Sequence, residues 1–309
     1  MKHHWLIILT GPTGIGKTDL AIQMAQLFGT VIISGDSRQI YKELPIGTAA
    51  PSAQQLKAVK HYLIGSHSIT DYYNAWQFEQ DVLQLTKELF TQYNPIILTG
   101  GSMMYIDALC NGIDELPNID QELRDSLYQQ YSEEGIEPIR RLLKQMDPVY
   151  YNQMDLQNHK RVIHAVEICM MTGKPYSSLR TNPKHDRPFN ILKIGLDMDR
   201  EELYNRINQR VDNMIEGGLI DEAKQLFHHR HLNALNTVGY RELFNYFEGN
   251  GTQEEAIELI KRNSRRYAKK QLSWFRRDEK MTWFHPNEKE KIINFVKETI
   301  TNRERPTTY

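Results

Sequence analysis

The sequence predicts an α/β protein whose parallel sheet is flanked by helices, with an all-helical insertion and a helical C-terminal region. Short runs rich in β-branched residues are bounded by Gly, Pro or Asp, and stretches with apolar residues at helical spacing alternate with them. One long later segment shows helical patterns without a convincing strand. The chain has 309 residues, of which 40% are hydrophobic and 25% charged, and this composition excludes collagen-like, low-complexity and disulfide-scaffold proteins.

Four strands are predicted, at residues 5–9, 31–34, 96–99 and 191–196. Apolar stripes at helical spacing cover residues 20–28 and 76–93, between the first three strands. A strand–helix–strand–helix–strand order places the strands parallel, because each helix carries the chain back to the same end of the sheet.

The domain organisation follows from a change near residue 114, where alternating strand and helix patterns give way to helical patterns alone. Residues 119–128, 136–145 and 160–171 read as helices, and Pro117, Pro148 and Pro175 punctuate this stretch. We therefore predict a helical insertion at 115–189 within a catalytic core made of 1–114 and 190–309. After residue 200 the pattern is helical almost to the end, and Thr252 with Glu255 forms a capping box that begins one long helix.

A phosphate-binding loop is predicted directly after the first strand. The motif G-x-x-x-x-G-K-[ST] is matched in full by Gly11, Pro12, Thr13, Gly14, Ile15, Gly16, Lys17 and Thr18. Its glycines let backbone N–H groups converge on phosphate oxygens at a helix N-terminus, as in nucleotide-binding (ATP-binding) proteins. Lys17 is expected to reach the terminal phosphate, and the Thr18 hydroxyl to bind Mg²⁺.

The third strand lacks the acidic residue that an NTPase usually has at this place, because it ends in the letters ILTGGS at 97–102. The second strand does lead to an acid, Asp36. The carboxyl ends of these strands should bring the loop, Asp36 and Ser102 to one crevice. Asp36 could bind metal or accept a proton there, or it could only cap the segment that follows it.

A basic helix is predicted at 261–277, where eight Lys or Arg residues occur without an acid and with Tyr267, Trp274 and Phe275 among them. Such a face can neutralise a nucleic-acid backbone. The alternatives are a solvated surface or pairing with acids of the insertion.

The chain has two cysteines, Cys110 and Cys169, each within an apolar helical pattern. This usage favours reduced core thiols in a cytoplasmic protein.

No run approaches the ~20 apolar residues that a membrane span needs. We expect no membrane partner and a monomeric protein.

Several motifs together resemble one family. The runs GPTGIGKT (11–18), SGDSRQIYKELPIGTAAP (34–51), GGSMMYIDAL (100–109), NTVGYREL (236–243) and RRYAKKQLSWFRR (265–277) follow in order. Over about residues 5–286 the chain is similar to the bacterial tRNA dimethylallyltransferases, also called isopentenylpyrophosphate:tRNA transferases. The Asp36 segment and the basic helix are the most specific parts, because general P-loop proteins lack them.

The resemblance implies a reaction, its Mg²⁺ cofactor and its partners, tRNA and dimethylallyl diphosphate. The dimethylallyl group would pass to N6 of adenosine 37, immediately 3′ of the anticodon, in tRNAs that read codons beginning with U. The P-loop residues would hold the donor diphosphate, Asp36 would be the general base, Ser102 would lie near the diphosphate and the target base, and Arg210 would contact the leaving diphosphate.

The resemblance also implies a set of tRNA contacts, some of them in the insertion, which we expect to bind the anticodon stem–loop. The matching positions are Asp36, Ser37, Arg38, Gln39, Ser102, Arg124, Lys160, Arg161, Val162, Ile163, His164, Asn236, Thr237, Val238, Gly239, Tyr240 and Arg241. His164 stands where the family usually has Arg, Ser102 where it usually has Thr, and Gly35 where it usually has Ala.

Three other readings stay open from the sequence. A P-loop kinase or NTPase would turn over ATP. A dimethylallyltransferase acting on free adenine nucleotides would share the crevice without needing a basic helix. A non-enzymatic RNA-binding protein would not need both Asp36 and an intact Lys17-Thr18 pair.

Overall fold

The computed structural model describes residues 3–118, 120–181 and 185–304. The chain divides into two compact units, one drawn from Met1–Cys110 with Asp186–Tyr309 and the other from Asn111–His185. Both boundaries lie four residues before those predicted from the sequence, 115 and 189. Ile119, at the start of one predicted helix, lies outside the described residues.

The first unit is built on a six-stranded sheet in which all strand pairs are parallel and the strand order is β3-β2-β4-β1-β5-β6. The strands are β1 Trp5–Thr10, β2 Ile32–Ser34, β3 His61–Tyr62, β4 Ile96–Gly100, β5 Asn190–Leu196 and β6 Met281–Phe284. The predicted parallel α/β fold is confirmed. The two edge strands, β3 and β6, were not predicted, and β6 corrects the expectation of helix almost to the chain end.

Helices cover the sheet in the first unit. They are α1 Lys17–Phe28, α2 Ala53–Ala58, α3 Ala75–Leu89, α4 Met103–Asn111, α10 Arg200–Glu216, α11 Leu219–Leu226, α12 Tyr240–Phe247, α13 Gln253–Phe275 and α14 Lys289–Glu304. Strand β1 shows why two layers form. All six of its residues are buried, with Leu6 and Ile8 in one hydrophobic cluster and Trp5, Ile7 and Leu9 in the other.

The second unit contains helices and no strand in its described part. The helices are α5 Gln121–Glu134, α6 Glu137–Met146, α7 Pro148–Gln153, α8 His159–Thr172 and α9 Tyr176–Leu179. Its core includes Leu127, Ile139, Leu143, Val162 and Val166. None of the described helices of the protein is both long and apolar enough to cross a membrane.

The strand register sets where a ligand can bind. Thr10 pairs with Gly100, and Ser34 pairs with Thr99, so β1, β2 and β4 end at the same level. The loops that follow these strands therefore meet at one edge of the sheet, the usual ligand position in parallel α/β proteins.

Candidate functional site

The glycine-rich loop between β1 and α1 has the backbone geometry that its motif predicts. Gly16 precedes α1 with φ +97°, in the left-handed region, and no side chain caps the helix start. Gly11 leaves no room for a side chain, since a Cβ there would lie 2.8 Å from the carbonyl oxygen of Leu196. An uncapped helix start carries free N–H groups and a partial positive charge, which suit an anion.

Lys17 lies folded against this loop. Its Nζ donates hydrogen bonds to the carbonyl oxygens of Gly11, at 2.9 Å, and Pro12, at 2.8 Å. Burial and, to a lesser extent, the positive charge of Arg210 lower the pKa of Lys17 to about 7, against an opposing effect of the negative charge of Asp36. Near pH 7 this lysine therefore holds its proton weakly until an anion arrives.

A cavity of about 540 Å³ opens beside the loop. Its lining combines loop residues, the carboxyl end of β4 and polar side chains from α10 and α13: Thr13, Gly14, Gly16, Lys17, Thr18, Asp36, Gln39, Gly100, Gly101, Arg206, Gln209, Arg210, Asn213, Tyr267 and Gln271. We call it the loop cavity. Ile15 is fully buried in the core instead, so its side chain does not face the cavity.

A second cavity of about 290 Å³ adjoins the first. It is lined by polar and apolar side chains that include four predicted contacts in the 236–241 turn: Ser37, Arg38, Gly47, Thr48, Ile207, Val211, Met214, Asn236, Thr237, Val238, Arg241, Ile260 and Ser264. Thr13, Asp36, Arg210 and Tyr267 line both cavities. We call the second one the inner cavity, and these four residues mark the junction of the two.

Asp36 serves the turn after β2 and also faces the junction. Its Oδ1 accepts hydrogen bonds from the backbone N–H of Arg38, at 2.8 Å, and of Gln39, at 3.3 Å. Only Oδ1 takes part in these bonds within the described chain, and the carboxylate lines both cavities. Capping and a chemical role, which the sequence posed as alternatives, are thus compatible in one side chain.

Ser102 does not line either cavity. Its hydroxyl is buried, accepts a hydrogen bond from the Ser37 N–H at 2.6 Å and donates one to the Ser37 Oγ at 3.0 Å. In this structure Ser102 therefore stabilises the turn that follows Asp36 through its bonds to Ser37. The resemblance had instead implied a hydroxyl close to the donor diphosphate and the target base.

Two arginines of α10 face the loop cavity. Arg210, predicted from the sequence, donates from Nη2 to the carbonyl oxygen of Thr48 at 3.0 Å. Burial lowers the pKa of Arg210, and the Asp36 charge partly offsets this effect. Arg206 was not predicted; its Nε donates to the Gly14 carbonyl oxygen at 3.1 Å. The signal for it was the spacing of four, which puts both arginines on one helix face.

The inward face of α13 supplies one wall of the site. Ile260, Ser264, Tyr267 and Gln271 are spaced at helical intervals and all line a cavity. Buried Gln271, missed in the sequence, accepts from the Thr13 N–H at 2.9 Å and donates to the Gly101 carbonyl oxygen at 2.8 Å. This residue ties the glycine-rich loop to the end of β4.

Tyr267 stands at the junction beside Asp36. Burial and the Asp36 charge together raise the pKa of its hydroxyl to about 12, against an opposing effect of Arg38. The phenol is therefore neutral at physiological pH and can donate a hydrogen bond.

The outward face of α13 carries Arg262, Arg266, Lys269 and Lys270, all exposed. None of the four forms an ion pair with another residue in the described part of the chain. We call these four residues the basic face. Arg265 differs, because its guanidinium donates to Asn208 and is half-buried. The basic face is therefore available to an anionic partner.

Some residues of the first unit that were predicted to contact tRNA form hydrogen bonds with other residues of the chain instead. Tyr240 is fully buried, and its hydroxyl donates to Glu222 Oε1 at 2.6 Å. The side chain of Tyr240 therefore belongs to the core, which corrects the prediction for this residue. Arg38 lines the inner cavity while its Nη1 donates to the carbonyl oxygens of Asn233 and Ala234.

The predicted contacts on α8 of the second unit fall into two groups. Lys160 and Arg161 are exposed, and His164 is half-buried. Val162 and Ile163 are fully buried in the core of this unit. Their side chains cannot form a binding surface, and the prediction is corrected for these two residues.

Arg124 holds a buried carboxylate. Its Nε and Nη2 donate to Glu167 Oε1 and Oε2, at 2.7 and 2.8 Å, and the Glu167 side chain is fully buried. Burial raises the pKa of Glu167, but the hydrogen bonds from His164 and Arg124 outweigh it and leave the pKa below its usual value. Arg124 thus has a structural role within the second unit beside any contact it makes with RNA.

The fold and the joined cavities define a class: a parallel α/β enzyme in which an anion-binding loop and a second binding cavity share a carboxylate and an arginine. A family model described as IPP transferase matches residues 39–278. A tRNA dimethylallyltransferase from Parabacteroides distasonis is 58% identical over 295 residues, which are 96% of this chain and 99% of that protein.

Two further comparisons agree. A tRNA dimethylallyltransferase from Bacteroides thetaiotaomicron is 55% identical, over 94% of this chain and 95% of that protein. The crystal structure of the full-length tRNA isopentenylpyrophosphate transferase from Bacillus halodurans has a TM-score of 0.72 and 34% identity, and 98% of each chain is covered. This chain belongs to the IPP transferase family. The family and the transferase activity predicted from the sequence are confirmed.

Proposed function

We propose that this enzyme transfers the dimethylallyl group from dimethylallyl diphosphate to N6 of adenosine 37 in tRNAs reading codons that begin with U. The names of the relatives support tRNA as the acceptor and the dimethylallyl group as the cargo. The observation that carries the proposal is the junction, where Asp36 and Arg210 line both the loop cavity and the inner cavity. Two substrates bound in the two cavities would meet there.

The loop cavity suits the donor diphosphate. Free N–H groups at the start of α1, Lys17 and Arg210 together offer hydrogen-bond donors and positive charge. When the C–O bond of the donor breaks, negative charge develops on the leaving diphosphate, and preorganised donors stabilise that charge. The loop thus holds a leaving group, and no phosphoryl group is transferred.

The residues present fit a Mg²⁺ ion that arrives with the diphosphate. The Thr18 side chain offers an oxygen ligand in the loop cavity, and Mg²⁺ commonly uses one or two protein oxygens together with substrate phosphates and water. No cluster of three His, Cys, Asp or Glu side chains that could hold a metal occurs among the described residues. Bound Mg²⁺ would neutralise charge on the departing diphosphate.

Asp36 would act on the acceptor amine. The exocyclic amine of adenine is a weak nucleophile, and it becomes acidic as its nitrogen bonds to carbon. Asp36 would orient the amine and take its proton as the new N–C bond forms and the donor C–O bond breaks. General-base catalysis of this kind contributes about 10²–10⁴-fold.

The tRNA would be held by positive charge outside the cavities and by side chains within the inner cavity. The basic face neutralises backbone phosphates. The target base must leave the anticodon-loop stack, which costs a few kcal/mol, and phosphate contacts offset this cost. The exposed Lys160 and Arg161 of the second unit are the residues of α8 proposed to contact the RNA.

The test is a transfer assay with the purified chain, dimethylallyl diphosphate, Mg²⁺ and unmodified tRNA. We expect one dimethylallyl group per tRNA, found on the adenosine 3′ of the anticodon, and no product with free adenosine monophosphate. Alkylation of the free nucleotide, or ATP turnover without alkylation, would favour one of the other readings of the sequence.

A further inference from the structure

The loop that separates the two cavities is anchored by a carboxylate outside both of them. Residues 45–51 follow the Asp36 segment, and Gly47, Thr48, Ala49, Ala50 and Pro51 line one cavity or the other. Glu222, at the start of α11, lines neither. Its Oε2 accepts from the Ile46 N–H at 2.9 Å, and its Oε1 accepts from the Gly47 N–H at 2.8 Å.

A third donor fixes the carboxylate itself. The hydroxyl of buried Tyr240 donates to Glu222 Oε1 at 2.6 Å. The tyrosine also presses against the loop, since a Cβ at Gly47 would lie 2.4 Å from the Tyr240 oxygen. Only glycine therefore lets the loop approach the Glu222–Tyr240 pair so closely.

The loop needs such an anchor because its own conformation is unfavourable. Ala49 has φ +44°, in the left-handed region that non-glycine residues adopt at a cost of about 1 kcal/mol. Local bonds from Ala49 N–H to Ile46 and from Ala50 N–H to Pro45 close the turn. Of the N–H groups that these bonds leave over, those of Ile46 and Gly47 donate to Glu222.

The anchored loop in turn positions Arg210. The carbonyl oxygen of Thr48 accepts from Arg210 Nη2 at 3.0 Å, and no carboxylate forms an ion pair with Arg210 among the described residues. The guanidinium is thus directed by one backbone carbonyl of the loop that Glu222 holds.

We propose that Glu222 is a positioning residue for the transfer reaction: it holds the 45–51 loop so that the Thr48 carbonyl aims Arg210 at the donor diphosphate. This inference rests on the proposed function, because it takes the loop cavity as the donor site. Glu222 contacts no substrate, and its effect on rate is transmitted by two hydrogen-bonded steps.

A double-mutant cycle between Glu222→Gln and Arg210→Ala tests the proposal. Glutamine keeps one acceptor oxygen and replaces the other with an N–H group, so one loop amide loses its partner with little change in volume. In the chain with Arg210, we expect kcat/KM for the donor to fall about 10- to 100-fold, because misaimed charge stabilises the leaving group less. In the Arg210→Ala chain the same change should lower it less than about threefold, because coupled residues are not additive.

Equal losses in the two backgrounds would overturn the proposal, since a merely structural carboxylate would lower activity regardless of Arg210. Glu248→Gln is the matched control, because Glu248 is half-exposed and pairs with Arg230 away from the cavities; it should leave kcat/KM unchanged. If Glu222→Gln does not fold, Tyr240→Phe, which removes one donor to the same carboxylate, replaces it in the cycle with the same criterion.

The wild-type reaction separates the two levels of inference. If the wild-type chain does not alkylate tRNA in this assay, the proposed function fails. If it does alkylate tRNA and the cycle is additive, only the role of Glu222 fails.

Discussion

Asp36 combines a structural and a chemical role, and a pair of substitutions separates them. Asp36→Asn retains an oxygen that can accept from the N–H groups of Arg38 and Gln39, but it removes the negative charge and the proton acceptor. Asp36→Ala removes both. Both variants therefore lack the proton acceptor, and they differ only in whether an oxygen remains to accept the hydrogen bonds of the turn.

The expected loss of stability follows from the two hydrogen bonds that Asp36 accepts, and the expected loss of rate follows from its role as the general base. One of the two N–H bonds is short at 2.8 Å and the other is long at 3.3 Å, so the turn is worth about 1 kcal/mol of unfolding free energy. Loss of the general base should lower kcat by about 10²–10⁴-fold. We expect Asp36→Asn to lose this rate with unchanged stability, and Asp36→Ala to lose the same rate together with about 1 kcal/mol of stability.

The assay is single-turnover transfer to tRNA at saturating donor, beside urea denaturation of each variant. Saturating donor is needed because the Asp36 charge raises the pKa of Lys17, and its removal makes that lysine lose its proton more readily. Asp71→Asn is the control, since Asp71 also accepts a turn N–H, that of Ser68, away from the cavities. If Asp36→Asn transfers at near the wild-type rate, Asp36 is not the base, and its role is limited to the hydrogen bonds it accepts in the turn.

Three further predictions concern charge. Because burial lowers the pKa of Lys17 to about 7, this lysine loses its proton as the pH rises above 7. Donor binding must then take up one proton. The donor Kd, measured by calorimetry, should therefore rise up to about tenfold per pH unit from pH 7 to 9. Lys269→Glu with Lys270→Glu should weaken tRNA binding and lower the slope of log K against log salt by about two, in filter-binding titrations. Arg124→Ala should destabilise the protein by about 2 kcal/mol, measured by denaturation, because it leaves the buried Glu167 carboxylate without its bidentate partner.

Each of these has its own control. A donor Kd independent of pH would show that Lys17 stays charged. Lys289→Glu with Lys297→Glu reverses two exposed charges on α14 and should leave the salt slope unchanged; an equal drop in both double variants would mean that the basic face has no special role. If Arg124→Ala unfolds as wild type does, the Glu167 pair contributes nothing.

The sequence predicted the central strands because strands buried on both faces are continuous apolar runs, as β1 is. It did not predict β3 and β6, because neither strand is a continuous buried apolar run. His61–Tyr62 is a half-buried pair at one edge, and Met281–Phe284 at the other edge has only its first residue buried. Short edge strands form because a neighbour offers hydrogen bonds, and that neighbour is not visible in the local pattern.

The motif located the glycine-rich loop and Asp36, but it could not locate their partners. Gln271 reaches Thr13 across 258 positions, and Arg206 reaches Gly14 across 192. Such contacts depend on the packing of α10 and α13 against the loop. The buried Val162 and Ile163 were assigned as contacts by their place in a family run, although their helical spacing with Val166 indicates a core face.

Whether the glycine-rich loop holds a leaving diphosphate is measured most directly by following both products of one reaction. The purified chain is incubated with Mg²⁺, ATP, unmodified tRNA and dimethylallyl diphosphate, and the tRNA nucleosides are analysed by mass spectrometry while diphosphate and ADP are quantified. We expect one N6-dimethylallyl adenosine and one diphosphate formed per turnover, with no ADP. ADP formation without alkylated tRNA would show that the glycine-rich loop serves phosphoryl transfer and not the transfer of a dimethylallyl group.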